Sequence, residues 1–89
     1  MKLNFPNPSR SFEETSNRVL FWGYDNVIEV SFFVEAEALE KLSPAIGGTE
    51  AGFLEAFDSA RKRIYEVAEN AYVHGSKGSF AYILAAKDF

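Results

Sequence analysis

The stretch most suggestive of chemistry is residues 60–75, ARKRIYEVAENAYVHG, with three consecutive cations (Arg61, Lys62, Arg63), two tyrosines (Tyr65, Tyr72) and the chain's single histidine, His74. Such a run suits nucleic-acid binding only when its charges share one face. On a helix, successive residues point about 100° apart, so these three cations spread around the axis. Asp58 and Glu66 stand four residues before and after Lys62, the spacing of ordinary surface pairs. Arg61 is different. It shares a helical stripe with Leu54, Tyr65, Ala68 and Tyr72, where it can stack on the Tyr65 ring or pair with a carboxylate of the sheet. His74 precedes Gly75 in the last helical turn, where a protonated imidazole suits the helix C-terminus.

The other candidate sites are weaker. Without cysteine, a lone histidine offers no metal constellation and no nucleophile–base pair. No G-x-S-x-G motif, Walker loop or dinucleotide fingerprint accompanies it. Gly75-Ser76-Lys77-Gly78 has the spacing of a KH-type G-x-x-G clamp, but that clamp joins two helices and here a strand is expected next. Glu37 and Glu40, near Glu35, would hold a divalent cation only with further ligands, and a solvated helix face explains them. No metal and no cofactor are expected.

The chain that must position these groups has 89 residues and a net charge of −4. That length implies one domain burying roughly two thirds of its unfolded surface. The acidic balance disfavours nucleic acid and anionic membranes. The cysteine-free composition suits a reducing compartment. The opening MKLNFPNPSRS lacks the apolar run of a signal peptide, and no stretch approaches the ~20 apolar residues of a membrane span. The expected location is therefore cytoplasmic.

Residues 1–17 read as an N-terminal arm, with Leu3 and Phe5 in one short extended piece, Phe12 anchoring a second, and Thr15-Ser16-Asn17 in a turn. Residues 18–34 alternate β-branched and aromatic groups around Asp25-Asn26 and predict a hairpin with those two residues as its turn. A short helix follows at 36–42, ended by Ser43-Pro44. Thr49 is a plausible N-cap for one long helix over 49–74, whose apolar stripe is Phe53, Phe57, Ala60, Ile64, Val67, Ala68 and Ala71. Gly75 caps it, and a last strand spans 79–86 with Phe80, Tyr82 and Leu84 on one face. The class is α+β: a small antiparallel sheet, hairpin plus C-terminal strand, with one short and one long helix on one face.

Counting from that turn pairs Phe21 with Val30 and Val19 with Phe32 on a core face, leaving a gap at Gly23 that a helix could approach. The opposite face receives Leu20, Trp22, Tyr24, Val27 and Phe33, with Arg18 and Glu29 at its rim. A solvated sheet face should be polar, so this one is a candidate protein-contact surface. Two coverings remain open: the arm, with Phe5 and Phe12 folded back over it, or a second chain.

The segments LNFPNPSRS, WGYDNVIEVSFFVEAEAL, FLEAFDSARKRI and AKDF together resemble a bacterial family catalogued as domain of unknown function 1488. The resemblance spans nearly the whole chain. Its most specific parts are Ala56, Phe57, Arg61 and Ile64, and the terminal Asp88-Phe89. It implies a small cytoplasmic α+β domain and transfers no catalytic residue. The leading functional expectation is a non-catalytic interaction or regulatory module, self-associating as a homodimer or docking a protein partner through Leu20, Trp22, Tyr24 and Phe33. The alternatives are a nucleic-acid-associated protein using Lys62, Arg63 and Lys77, and an enzyme with a cleft of carboxylates, Tyr65 and His74. No small-molecule ligand is specified.

Overall fold

The computed structural model describes residues 3–45, 47–75 and 81–89. Its elements run β1 (Ser11–Glu13), β2 (Arg18–Asp25), β3 (Ile28–Glu35), α1 (Ala36–Leu42), α2 (Glu50–Ser59), α3 (Arg61–His74), β4 (Ala81–Leu84) and a closing 3-10 turn (Ala86–Asp88). The four strands form one sheet in the order β1-β2-β3-β4. The first three are antiparallel, whereas β4 lies parallel to β3. The sheet is therefore mixed, a correction to the antiparallel expectation with a topological cause. The chain leaves β3 through helices on one face, and such a crossover returns the next strand parallel.

The long helix is also two helices. Ala60 leaves helical dihedrals at φ −108°, ψ 16°, and its N–H is shared between the Ala56 and Phe57 carbonyls at 3.1 and 3.2 Å. A shared N–H of this kind is common at helix ends. No glycine or proline marks the break. The apolar stripe runs through it undisturbed: Phe53, Phe57, Ile64, Val67 and Ala68 are all buried against the sheet. Thr49 caps α2, its hydroxyl accepting the Gly52 N–H at 3.1 Å. Ser43 is the C-cap of α1.

The hairpin turn falls at Asn26-Val27, one residue later than the sequence suggests, with only Asn26 at positive φ (57°). Asp25 instead ends β2, opposite Ile28, and its carboxylate accepts the Tyr72 hydroxyl at 2.7 Å. The pairing therefore moves by two: Phe21 faces Phe32, Val19 faces Val34 and Leu20 faces Phe33. A shift of two preserves which side chains share a face, because the side-chain period is two. Val19, Phe21, Val30, Phe32 and Val34 are accordingly buried, and Leu84 joins them from β4.

The arm enters this core. Asn4 bridges to Tyr24 through paired backbone bonds of 2.9 and 2.8 Å, and β1 continues along the same edge of β2. Phe5 stacks on Tyr65 with ring centroids 4.0 Å apart, and Phe12 stacks on Phe53 at 5.6 Å. The gap at Gly23 is filled by this arm and not by a helix: a Cβ there would lie 2.7 Å from the Phe5 ring. Further ties run from the Leu3 N–H to Glu69 (3.0 Å) and from the Arg10 guanidinium to both oxygens of Asp58 (3.0 and 2.8 Å).

Candidate interaction face

Helices and arm aromatics all pack on one side of the sheet. The other side presents four cross-strand rows fixed by the register. Glu13, Arg18 and Glu35 form the first; Ser11, Leu20, Phe33 and Ile83 the second. Trp22, Ser31 and Ala81 form the third; Asn4, Tyr24 and Glu29 the fourth. All of Leu20, Trp22, Tyr24 and Phe33 therefore lie on one face, half-buried by their neighbours in the sheet. Ile83 extends the apolar row onto β4 and is 54% exposed. Alternation along the last strand puts Ile83 on the face away from Tyr82 and Leu84, but alternation within a strand does not say which strand lies beside it, so the sequence does not link Ile83 to this patch.

The folded-back arm does not cover this patch, because the Phe5 and Phe12 rings point into the core. Val27 does not belong to it either: it sits in the turn, 94% exposed. Arg18 lies with its guanidinium 3.8 Å from the Phe33 ring centroid and donates to Glu13 at 2.6 Å. That bond holds the Glu13 carboxyl below its usual range. At the far end the Tyr24 hydroxyl donates to Glu29 at 2.7 Å, which pushes the Tyr24 hydroxyl pKa up. Polar groups thus bracket an apolar middle, the usual anatomy of a contact surface.

The groups that first suggested chemistry are dispersed. Lys62 and Arg63 are exposed, and Arg63 approaches Glu66 at 3.8 Å. Arg61 donates to the Tyr65 hydroxyl and to Asp58, both at 2.6 Å, and lies 4.9 Å from the Phe57 ring centroid. Its carboxylate partner comes from α2 and not from the sheet. Asp58, between Arg10 and Arg61, is held below the ordinary carboxyl range, chiefly by its bonds to Arg10. His74 Nδ1 lies 3.0 Å from the Asn70 carbonyl on an exposed turn. Gly75 is extended and not left-handed; it is required because a Cβ would meet the Tyr82 ring at 2.5 Å and the Ala71 carbonyl at 2.7 Å. Ser76, Lys77, Gly78 and Phe80 lie outside the described residues. Among the described residues, no three or more acidic, histidine or cysteine side chains gather as metal ligands.

A profile described as "Protein of unknown function (DUF1488)" matches residues 3–84. The chain belongs to the DUF1488 family. A crystal structure of a DUF1488 protein of unknown function from Shewanella loihica PV-4 superposes with a TM-score of 0.74 at 16% identity, covering 91% of this chain and 93% of that one. At that identity the likeness is one of fold alone. No curated protein matches the sequence. Among the described residues, no helix is long and apolar enough to cross a membrane.

Proposed function

We propose that this DUF1488 chain is a small interaction module that self-associates through the outer face of its sheet and performs no catalysis of its own. One observation carries the reading: every helix and both arm aromatics pack on one side, while Leu20, Trp22, Phe33 and Ile83 share the other. Domains bury the apolar faces of their sheets against another layer, and here a second copy supplies it. A two-fold dimer is the commonest arrangement, since one surface serves both chains. Tryptophan and tyrosine are typical anchors of such contacts. A cytoplasmic home, expected from the cysteine-free composition, is part of the same proposal.

Sedimentation of the parent and of Trp22→Glu tests it. The parent should be a dimer at micromolar concentration, and the variant a folded monomer with the parent's circular dichroism. A parent that remains monomeric at high micromolar concentration overturns the reading.

A further inference from the structure

We infer that the two copies pack outer face to outer face about a two-fold axis running along the strands, between β2 and β3, so that Arg18 of each chain meets the partner's Glu35. This rests on the self-association proposed above and specifies its geometry. The cross-strand rows define this geometry. A two-fold axis parallel to the strands keeps each row at its own height and exchanges β2 with β3 across the interface. Each contact between chains then repeats a cross-strand pair of the sheet itself. Arg18 lies over the partner's Glu35, Leu20 over the partner's Phe33, Trp22 over the partner's Ser31 and Tyr24 over the partner's Glu29.

Three of those contacts are complementary: a cation meets an anion, an aliphatic group meets an aromatic ring, and the largest side chain meets a small one, while the Tyr24 hydroxyl, whose proton goes to Glu29 of its own chain, adds no donor at the fourth. The same axis passes through the middle of the four-stranded order β1-β2-β3-β4, so all four strands are covered and Ile83 comes to lie over β1 of the other chain. An axis across the strands would exchange the ends of the face instead. It would set Glu35 over the partner's Glu29, a like-charge contact that costs association energy. Facing sheets pack about 10 Å apart with strands within about 30° of alignment, which long side chains at each height can bridge.

A second observation points the same way. Arg18 and Glu35 are direct cross-strand partners, yet the Arg18 guanidinium turns to Glu13 and the Phe33 ring. Glu35 enters none of the four ion pairs among the described residues, and it makes no capping bond at the start of α1. Its carboxylate is free to take a cation from outside the chain.

Charge reversal tests the axis. Arg18→Glu and Glu35→Arg should each weaken self-association by at least about tenfold, because each sets like charges together twice per dimer. An equimolar mixture of the two variants should regain the dimer, since every contact of the mixed pair joins opposite charges. Sedimentation reads all three samples, and circular dichroism verifies that each variant is folded. Ser31→Trp gives a charge-independent arm: filling the space beneath the partner's Trp22 should likewise yield a folded monomer. A dimeric parent whose single variants stay dimeric, or whose mixture stays monomeric, overturns this axis while leaving self-association intact. A monomeric parent overturns the underlying reading as well.

Discussion

Asp58 takes guanidinium bonds from two directions, from Arg10 of the arm at 2.8 and 3.0 Å and from Arg61 of α3 at 2.6 Å. Its carboxyl is held low by these bonds, so it contributes stability above the ordinary value of 3.8 and loses it as the pH falls through the lower folded value. Asp58→Asn should therefore destabilise at neutral pH, and the gap between variant and parent should close on acidification. Urea titrations at a series of pH values measure this. Gly23 is the second telling residue. Gly23→Ala pushes a methyl into the Phe5 ring, and overpacking of this kind costs roughly 1–3 kcal/mol. Because Phe5 sits on the arm, part of the strain should appear as arm loosening, read as faster hydrogen exchange at Asn4 and Tyr24. Lys62 and Arg63 stand at the other extreme. Replacing both with glutamine should change stability by no more than about 0.5 kcal/mol, as for exposed side chains in general.

Among the elements, α2 and α3 supply most of the layer over the sheet. Phe57 is fully buried beneath them, between Phe21 and Arg61, and Phe57→Ala should cost about 3–5 kcal/mol in chemical denaturation. Thr49→Ala should cost about 1 kcal/mol through the lost cap. Both residues were legible in the sequence, since spacing of three and four marks a buried stripe and a β-hydroxyl before an acidic turn marks a cap. The two faces of β2 and β3 were legible for a related reason: alternation survives a register shift of two. The turn itself was not. Asp25 and Asn26 both tolerate positive φ, and the Tyr72 hydroxyl, from a helix 47 residues away, engages the Asp25 side chain within the strand. Nor did any residue announce the break at Ala60, because the stripe is continuous across it. A cleft of carboxylates, Tyr65 and His74 rests on residue types, which carry no distances; in the structure the Tyr65 hydroxyl accepts from Arg61, and His74 lies beside the Asn70 carbonyl on an exposed turn.

For the molecule as a whole, the proposed self-association would make stability depend on concentration. The parent's melting temperature should rise as protein concentration is raised, and that of Trp22→Glu should stay constant. Calorimetry over a hundredfold dilution series, or about two decades, measures both slopes. Charge gives the context for that association. The chain carries 13 acidic and 9 basic residues, so copies repel at long range, and the proposed contact would close only where Arg18 and the apolar row face a partner. Salt screens such repulsion, and moderate ionic strength should tighten the dimer through this long-range component.

The parallel pairing of β3 with β4 also sets an order of events. Leu84 is wholly buried, and its strand reaches β3 only after every helix has been made: Ser31 pairs with Ala81, fifty positions downstream. The β2–β3 hairpin closes over a two-residue turn and forms locally. During synthesis the chain thus passes through an interval in which Phe32 and Val34 are paired on one side only, with the β3 edge open. That edge is a template for any extended segment, including the β4 of another copy. A nascent chain halted before residue 81 should accordingly aggregate or recruit a holdase, and release of the last nine residues should end that exposure by completing the sheet.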